Sequence, residues 1–469
     1  MSSICKKKDK IMAILILICI VFGNVITSGD FRIAGLVLTL YRVGIPLIAL
    51  YYFFNRCRNR EWGKYIGMKV YLTYALVIFV WLLYGACLMF LSEYSTIHEG
   101  AVELLSIFLG LISVYCISEC CRTREMFTYF FKVLRIFVVL LCIMSIFEMI
   151  LGIHLSGSRY AGAFEFGRIK RVLVLALSSG KIFPVTTIFY AINDFAAFLA
   201  IFFPLFLIDE NMQPKQKRRN IAMMLFICFI LAVADANICL LSIMITVIVW
   251  MLLKKKVNRY SAGSFVGIFV MQQWVSKWIC VGIIEVKKWI GTWPVVQNYV
   301  AGSGEILQLL DKGAVDEFAN LKEVISAQIQ TAENGSGSLY IRMMLTLDAL
   351  EIWIKSHMLG IGPSGFSNYL KENGSRTEII NPHNFWLEIL SEYGIFVFVA
   401  YVGMLLYLFI KNIKNYLKYK DFQLLQIICI LVAYVLASIA PSNFLGYSYQ
   451  WIVVGLALVA IQLFPEEGN

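Results

Sequence analysis

Long apolar runs separated by short polar segments organise this chain. About twelve are long enough to cross a bilayer, near residues 11–28, 33–54, 66–90, 101–118, 128–151, 186–208, 220–234, 237–253, 263–284, 385–410, 423–440 and 449–464. A helix needs roughly 20 apolar residues to span the hydrocarbon, where only helices and closed barrels satisfy their own backbone. The pattern predicts an all-α, polytopic membrane bundle. The seventh and eighth runs are short and read as a tight hairpin with Asp235 and Asn237 at its tip. The first run follows Lys6-Lys7-Lys8 without a small-residue cleavage site, so a retained helix is expected rather than a signal peptide. The implied organisation is a first block of nine helices (1–284) with a basic outer loop at 152–185, a large extracytoplasmic loop (285–384), and three closing helices (385–469).

Composition narrows the class. Apolar residues make up 60% of the 469 and charged residues only 15%, against roughly 25% charged in a soluble domain. That excludes soluble multidomain enzymes, secreted toxins, nucleic-acid-binding domains and disordered tails. The net charge of +11 reads as membrane orientation rather than nucleic-acid binding, because bases collect in cytoplasmic loops. With a cytoplasmic N-terminus, the inner segments hold clusters such as Arg56–Lys64, Lys215–Arg219, Lys254–Arg259 and Lys411–Lys420, whereas the short outer loops hold only Arg32. Both termini are then expected inside the cell membrane. The outer loop 152–185 breaks the rule with Arg159, Arg168, Lys170, Arg171 and Lys181 against the single acid Glu165. Anionic lipid headgroups and an anionic substrate both account for that excess. The twelve cysteines lack Cys-x-x-Cys spacing and read as packing residues.

Candidate chemistry concentrates between 339 and 394. A helix at 339–356 places Asp348, Glu351 and Lys355 on one stripe, with Met343, Leu347, Leu350 and Ile354 beside it. Arg342 falls opposite the charges, facing protein or membrane, and needs an anionic partner there: a structural carboxylate or a ligand phosphate. Gly360-Ile361-Gly362-Pro363 reads as a turn, since it lacks the lysine and strand-before-helix context of a phosphate loop. Asn381-Pro382-His383-Asn384 is a helix-initiation signal and puts His383 at a helix N-terminus. The helix dipole there disfavours imidazolium while Glu388 and Glu392 oppose it, so a neutral imidazole fit for general-base work is expected. No histidine or cysteine cluster has metal-ligand spacing, and no cofactor is expected.

In order and spacing, the Arg342-led helix, Leu359-Gly360-Ile361-Gly362-Pro363, His383-Asn384 and Glu392-Tyr393-Gly394-Ile395 resemble the O-antigen ligase and Wzy-type polysaccharide polymerase superfamily. The resemblance covers about 220–410, and Arg159-Tyr160-Ala161-Gly162 with Asn193-Asp194-Phe195-Ala196 extends it. One departure is Ala234-Asp235-Ala236-Asn237, where members usually carry Ser-Arg at the hairpin tip; Arg159 or Arg168 are candidate replacements.

The resemblance implies a membrane glycosyltransferase of O-antigen, capsule or exopolysaccharide assembly. It would join undecaprenyl-pyrophosphate-linked oligosaccharide donor and acceptor at the outer leaflet, without metal or nucleotide. It also implies catalytic roles for His383 as base and Arg342 as leaving-group cation. Arg159, Arg168, Asn384 and Glu388 would bind substrate or orient the imidazole. Membrane lipids are expected partners, a chain-length regulator is a candidate one, and nucleic acid is not expected. A ligase passing finished glycan to a lipid, wall or protein acceptor uses the same residues. A transporter or flippase is the rival class, with Glu148, Gln272, Gln273 and Lys277 as its intramembrane polar residues.

Overall fold

The computed structural model describes residues 3–23, 27–33, 36–59, 68–155, 158–159, 176–254, 338–377, 379–441 and 443–464, together with 263, 267, 270, 274–294 and 296–297. Arg168, the expected helix at 305–330, the Asn334–Ser338 breaker run up to residue 337, and Gln272 and Gln273 lie outside the described residues. The chain forms two compact units, residues 1–135 with 338–469, and residues 136–337.

In the first unit, α1 (Ser3–Leu17) runs into a wider turn at Ile18–Phe22. A short antiparallel hairpin follows, β1 (Thr27–Ile33) with β2 (Leu36–Thr39), Ile33 standing opposite Leu36. It is the departure from an all-α architecture among the described residues. It falls where the second predicted span should begin, because Thr27-Ser28-Gly29-Asp30 interrupts the apolar run. That span's helix, α2, starts only at Leu40 and ends at Asn59.

Next come α3 (Met68–Leu91), α4 (Ile97–Cys120) and α5 (Arg124–Leu151), the last crossing the boundary between the units. On α3, Leu72, Leu76, Phe79, Leu83 and Phe90 form an exposed stripe at helical spacing, while Tyr74, Ile78 and Trp81 are buried. A helix apolar all round has solvent on neither face, and the outward stripe is a lipid-facing surface. Near the predicted cytoplasmic ends, the buried Glu119 pairs with the buried Arg56 at 2.6 Å and with the half-buried Arg122, so two of the inner bases are ion-pair partners.

The same unit resumes with α10 (Ser338–Lys355), α11 (Gly365–Asn373), α12 (Phe385–Tyr419), α13 (Phe422–Ala437) and α14 (Gln450–Leu463), after the second unit's helices α6 to α9. α14 packs on α4 closely enough that a Cβ on Gly110 would stand 2.0 Å from the Trp451 ring, the small-residue contact that lets membrane helices approach.

The second unit contains α6 (Ile192–Phe202) with a tighter turn at Phe203–Phe206, then α7 (Pro214–Val233), α8 (Asn237–Lys254) and α9 (Ser276–Gly291). The predicted hairpin of runs seven and eight is α7 and α8. Asp235 turns at φ 48°, and the Asn237 side chain donates to its carboxylate at 2.8 Å.

Among the described residues, five helices are long and apolar enough to cross a membrane: α3 from Val70, α4, α5, α8 and α12. Ile192–Phe206, α13 and α14 are shorter apolar helices. The chain is a multi-pass helical membrane protein.

Candidate functional site

The residues singled out between 339 and 394 lie in the first unit. Their framework is a docking of the glycine turn onto a broken helix. α12 is interrupted at Gly394, where φ is 72° and ψ −175°, a conformation essentially restricted to glycine. The break frees carbonyls that an intact helix would use. Ile361 N–H donates to Ser391 O at 3.0 Å, Gly362 N–H to Glu392 O at 2.9 Å, and beyond the break Ile395 N–H donates to Met358 O at 3.0 Å. Gly360 sits at φ 88° against this seam, and a Cβ there would meet Glu392 O at 2.5 Å. The amides of the turn are thus spent on α12, as the turn reading requires. The α3–α4 loop closes the other side, with Ser95 Oγ donating to Pro363 O at 2.7 Å and Tyr84 to Leu359 O at 2.8 Å.

His383 occupies a different position from that expected. α12 begins at Phe385, with Asn384 as its N-cap accepting from Trp386 N–H at 3.0 Å. Pro382 is therefore outside the helix rather than in its first turn, because the Asn384 side chain supplies the acceptor that starts it. His383 precedes the cap at φ 47°, half-buried. Glu388 is buried in the first turns, and the Phe444 N–H donates to its carboxylate at 3.2 Å.

Arg342, half-buried on α10, reaches the chain just past α13. Its guanidinium donates to Ile439 O at 2.8 Å and Ala440 O at 3.2 Å. These partners are carbonyl dipoles at a helix C-terminus, where a cation is favoured; they orient the guanidinium without cancelling its charge. The neighbouring carbonyl, Ser438 O, accepts from Phe385 N–H at 3.3 Å. Three consecutive carbonyls therefore tether both the arginine helix and the start of the helix that follows His383.

The charged stripe of α10 is not free surface. Arg376 bridges the buried Asp348 and Glu351, and Lys355 pairs with Glu351 at 2.7 Å. Lys355, with Arg376, holds the Glu351 carboxyl below the usual carboxylate range. Arg376 was invisible to the sequence reading because its partners lie 25 and 28 positions earlier. The short α11 also went unread, although Phe366, Tyr369 and Leu370 have helical spacing and are buried in one cluster with Leu345 and Ile352.

A cavity of about 430 Å³ opens beside Asn381 and Pro382, lined among others by Glu103, Ser364, Asn368, Glu388 and Glu392. Glu103 and Ser364 were not singled out in the sequence.

The other expected site residues belong to the second unit. Arg159 is exposed, its N–H donating to Tyr190 O at 2.9 Å. Glu148, the strongest intramembrane acid of the transporter reading, is consumed structurally: it accepts from Thr186 N–H at 2.7 Å and Thr187 N–H at 2.6 Å and contacts His154 at 3.1 Å.

Residues 220–402 match the family described as O-Antigen ligase. The teichuronic acid biosynthesis protein TuaE of Bacillus subtilis (strain 168) is 21% identical over 433 residues, covering 91% of this chain and 79% of TuaE. The matched region holds Arg342, the glycine turn, His383 and the Glu392–Gly394 break. Residues 220–402 are therefore similar to the O-antigen ligase family, and that segment holds both Arg342 and His383.

Proposed function

We propose that this protein is a polysaccharide polymerase. It transfers a glycan from a lipid pyrophosphate to an acceptor sugar hydroxyl at the outer face of the membrane. The observation that carries this reading is the shared tether at Ser438–Ala440, which supports Arg342 and the His383 segment working on one substrate.

The imidazole of His383 takes the proton from the acceptor hydroxyl as its oxygen attacks the anomeric carbon. The bond to the lipid pyrophosphate breaks, and Arg342 stabilises the charge that develops on the departing oxygen. Attack opposite the leaving group inverts the anomeric centre. Activation resides in the donor, so no nucleotide enters the reaction. Undecaprenyl pyrophosphate is the carrier this reading assigns. The family's description as ligase favours one second reading with the same residues, in which the acceptor is a lipid, wall or protein group instead of a growing chain.

The test uses the full-length protein in liposomes with purified lipid-linked repeats. His383→Ala should lower chain extension by about 10²- to 10⁴-fold, as expected for loss of a general base, with unchanged membrane abundance. Arg342→Lys should also be severely impaired, since an ammonium cannot reproduce a two-pronged guanidinium contact. Full-length polymer from the His383→Ala protein would overturn the assignment.

A further inference from the structure

α10 presents three different surfaces. One faces protein: Leu345, Ala349 and Ile352 are buried in a cluster with Ile361, Phe366 and Leu370. The second is polar. Glu351, Lys355 and Arg376 are open to water, and with the buried Asp348 they line a cavity of about 320 Å³. The two cations offset the two carboxylates, so this side carries no net charge.

The third surface is apolar and exposed. Tyr340, Met343, Leu347 and Ile354 recur at helical spacing, and Met358 and Leu359 continue the row past the end of the helix. Met343, Leu347 and Ile354 are 55%, 47% and 61% exposed. At 1.5 Å per residue, the row from Tyr340 to Ile354 is about 21 Å long. An exposed apolar surface of this kind marks a partner or a membrane. Two observations choose hydrocarbon. The row is continuous with surface that already faces lipid: Met358 O accepts from Ile395 N–H beside the exposed Phe396 of α12, and Leu359 O accepts from Tyr84 Oη beside Leu83 in the outward stripe of α3. The order of the surfaces around the helix is the second. At 100° per residue the charged row stands about a quarter-turn from the apolar row, the layout of an amphipathic helix lying at a water–hydrocarbon boundary. Arg342, Asp348, Glu351 and Lys355 keep α10 out of the set of helices apolar enough to cross a membrane.

We propose that α10 lies in the plane of the outer leaflet, seated on phospholipid acyl chains through Tyr340, Met343, Leu347 and Ile354. The leaflet is the one that the pattern of basic residues assigns to this segment. The charged row faces the water above it, and the buried row joins it to the rest of the unit. A helix is about 10 Å across, so Arg342, on the flank of the apolar row away from the charges, stays at headgroup depth. A pyrophosphate still anchored by its lipid tail then lies within reach of the guanidinium. That consequence alone rests on the glycosyl-transfer reading; the docking of the helix does not.

The test is photolabelling of the unmodified full-length protein in phosphatidylcholine vesicles that contain a phospholipid with a diazirine in its acyl chain. One probe carries the diazirine near the glycerol and a second carries it near the chain end. Adducts are mapped by peptide mass spectrometry. The shallow probe should label Met343, Leu347 and Ile354 to the level of Leu91, the exposed last residue of α3. It should label them about tenfold more than Lys355 and Arg376, because an in-plane helix buries only its apolar face, by roughly 5–10 Å. The deep probe should label the exposed Phe79, midway along α3, and leave α10 unlabelled. Labelling of α10 by the deep probe to the level of Phe79 would make it a crossing helix. Labelling by neither probe would mean that protein covers the row, from this chain or from a second copy. Equal labelling of Leu347 and Lys355 would deny the helix a lipid-facing side. Each of these three results overturns the proposal. No substitution is introduced, so a failure to fold does not enter. The measurement involves neither sugar nor catalysis, so its failure leaves the transfer reading standing, and a labelled row in a protein that extends no glycan removes only that reading.

Discussion

The turn at 358–366 and the segment at 183–187 solve the same problem by opposite means. Both bring irregular backbone to the end of a long helix, and both contain residues at positive φ. In the first, the strained positions include Gly360, Gly362 and Gly394, and the partners are backbone amides and carbonyls of the turn and the broken helix. In the second, the left-handed residue is Thr187, a β-branched side chain disfavoured there, held by the carboxylate of Glu148 through the amides of Thr186 and Thr187. Nearby, the Lys287 ammonium donates to Ile150 O at 3.0 Å and to Lys181 O, and lies 4.6 Å from the Phe183 ring centroid. The first region turns on glycine together with Met358 and Ser364, and is held by backbone groups. The second spends its charges on holding backbone.

The largest effect should come from Gly394→Ala. A Cβ there would stand 2.3 Å from Leu359 O at a φ of 72°, costing about 3 kcal/mol or more. Thermal unfolding of the detergent-solubilised protein should fall sharply and chain extension should fail with it. Wild-type stability would show that the seam tolerates a side chain and that the contrast between the regions is false. Next is Glu148→Ala, which removes the acceptor for two amides and a histidine contact. A cost of about 3 kcal/mol is expected, read in the same melt, with extension per folded molecule little changed. A selective loss of extension at full stability would make this region functional as well.

The smallest effect concerns pH. Burial brings the Lys287 ammonium down from 10.5 to about 8. Between those values the unfolded chain binds a proton that the folded chain has lost, so stability should rise with pH across that window. Melts at steps from pH 7.5 to 10 should show the rise, and Lys287→Met should flatten it. An unchanged slope in the variant would mean that the lysine is not buried as charge.

The apolar pattern made most of the helices legible, because a bilayer enforces length and composition directly. α10 was read to within a residue of its ends, and the α7–α8 hairpin was anticipated together with its Asp235 tip. Arg342 was assigned from helical phase a position facing protein or membrane with an anionic partner; it does reach protein, where its guanidinium donates to the carbonyls of Ile439 and Ala440. What could not be read was partnership. Nothing near Gly362 announces that its amide will meet Glu392, thirty positions later. Pro382 signalled a helix start that Asn384 actually supplies, since capping depends on which side chain reaches the free amides. Glu103 became visible only when a segment about 260 positions away delivered Ser364 to it.

The discontinuity at Gly394 also bears on how the chain enters the bilayer. Only the stretch after it is an uninterrupted hydrogen-bonded rod, and unsatisfied carbonyls at 391 and 392 cannot be left in hydrocarbon. Ile361 and Gly362 must already be docked before that rod can seat fully, since they bring the missing amides. Assembly is thereby given an order: docking of the glycine turn first, completion of the long helix second.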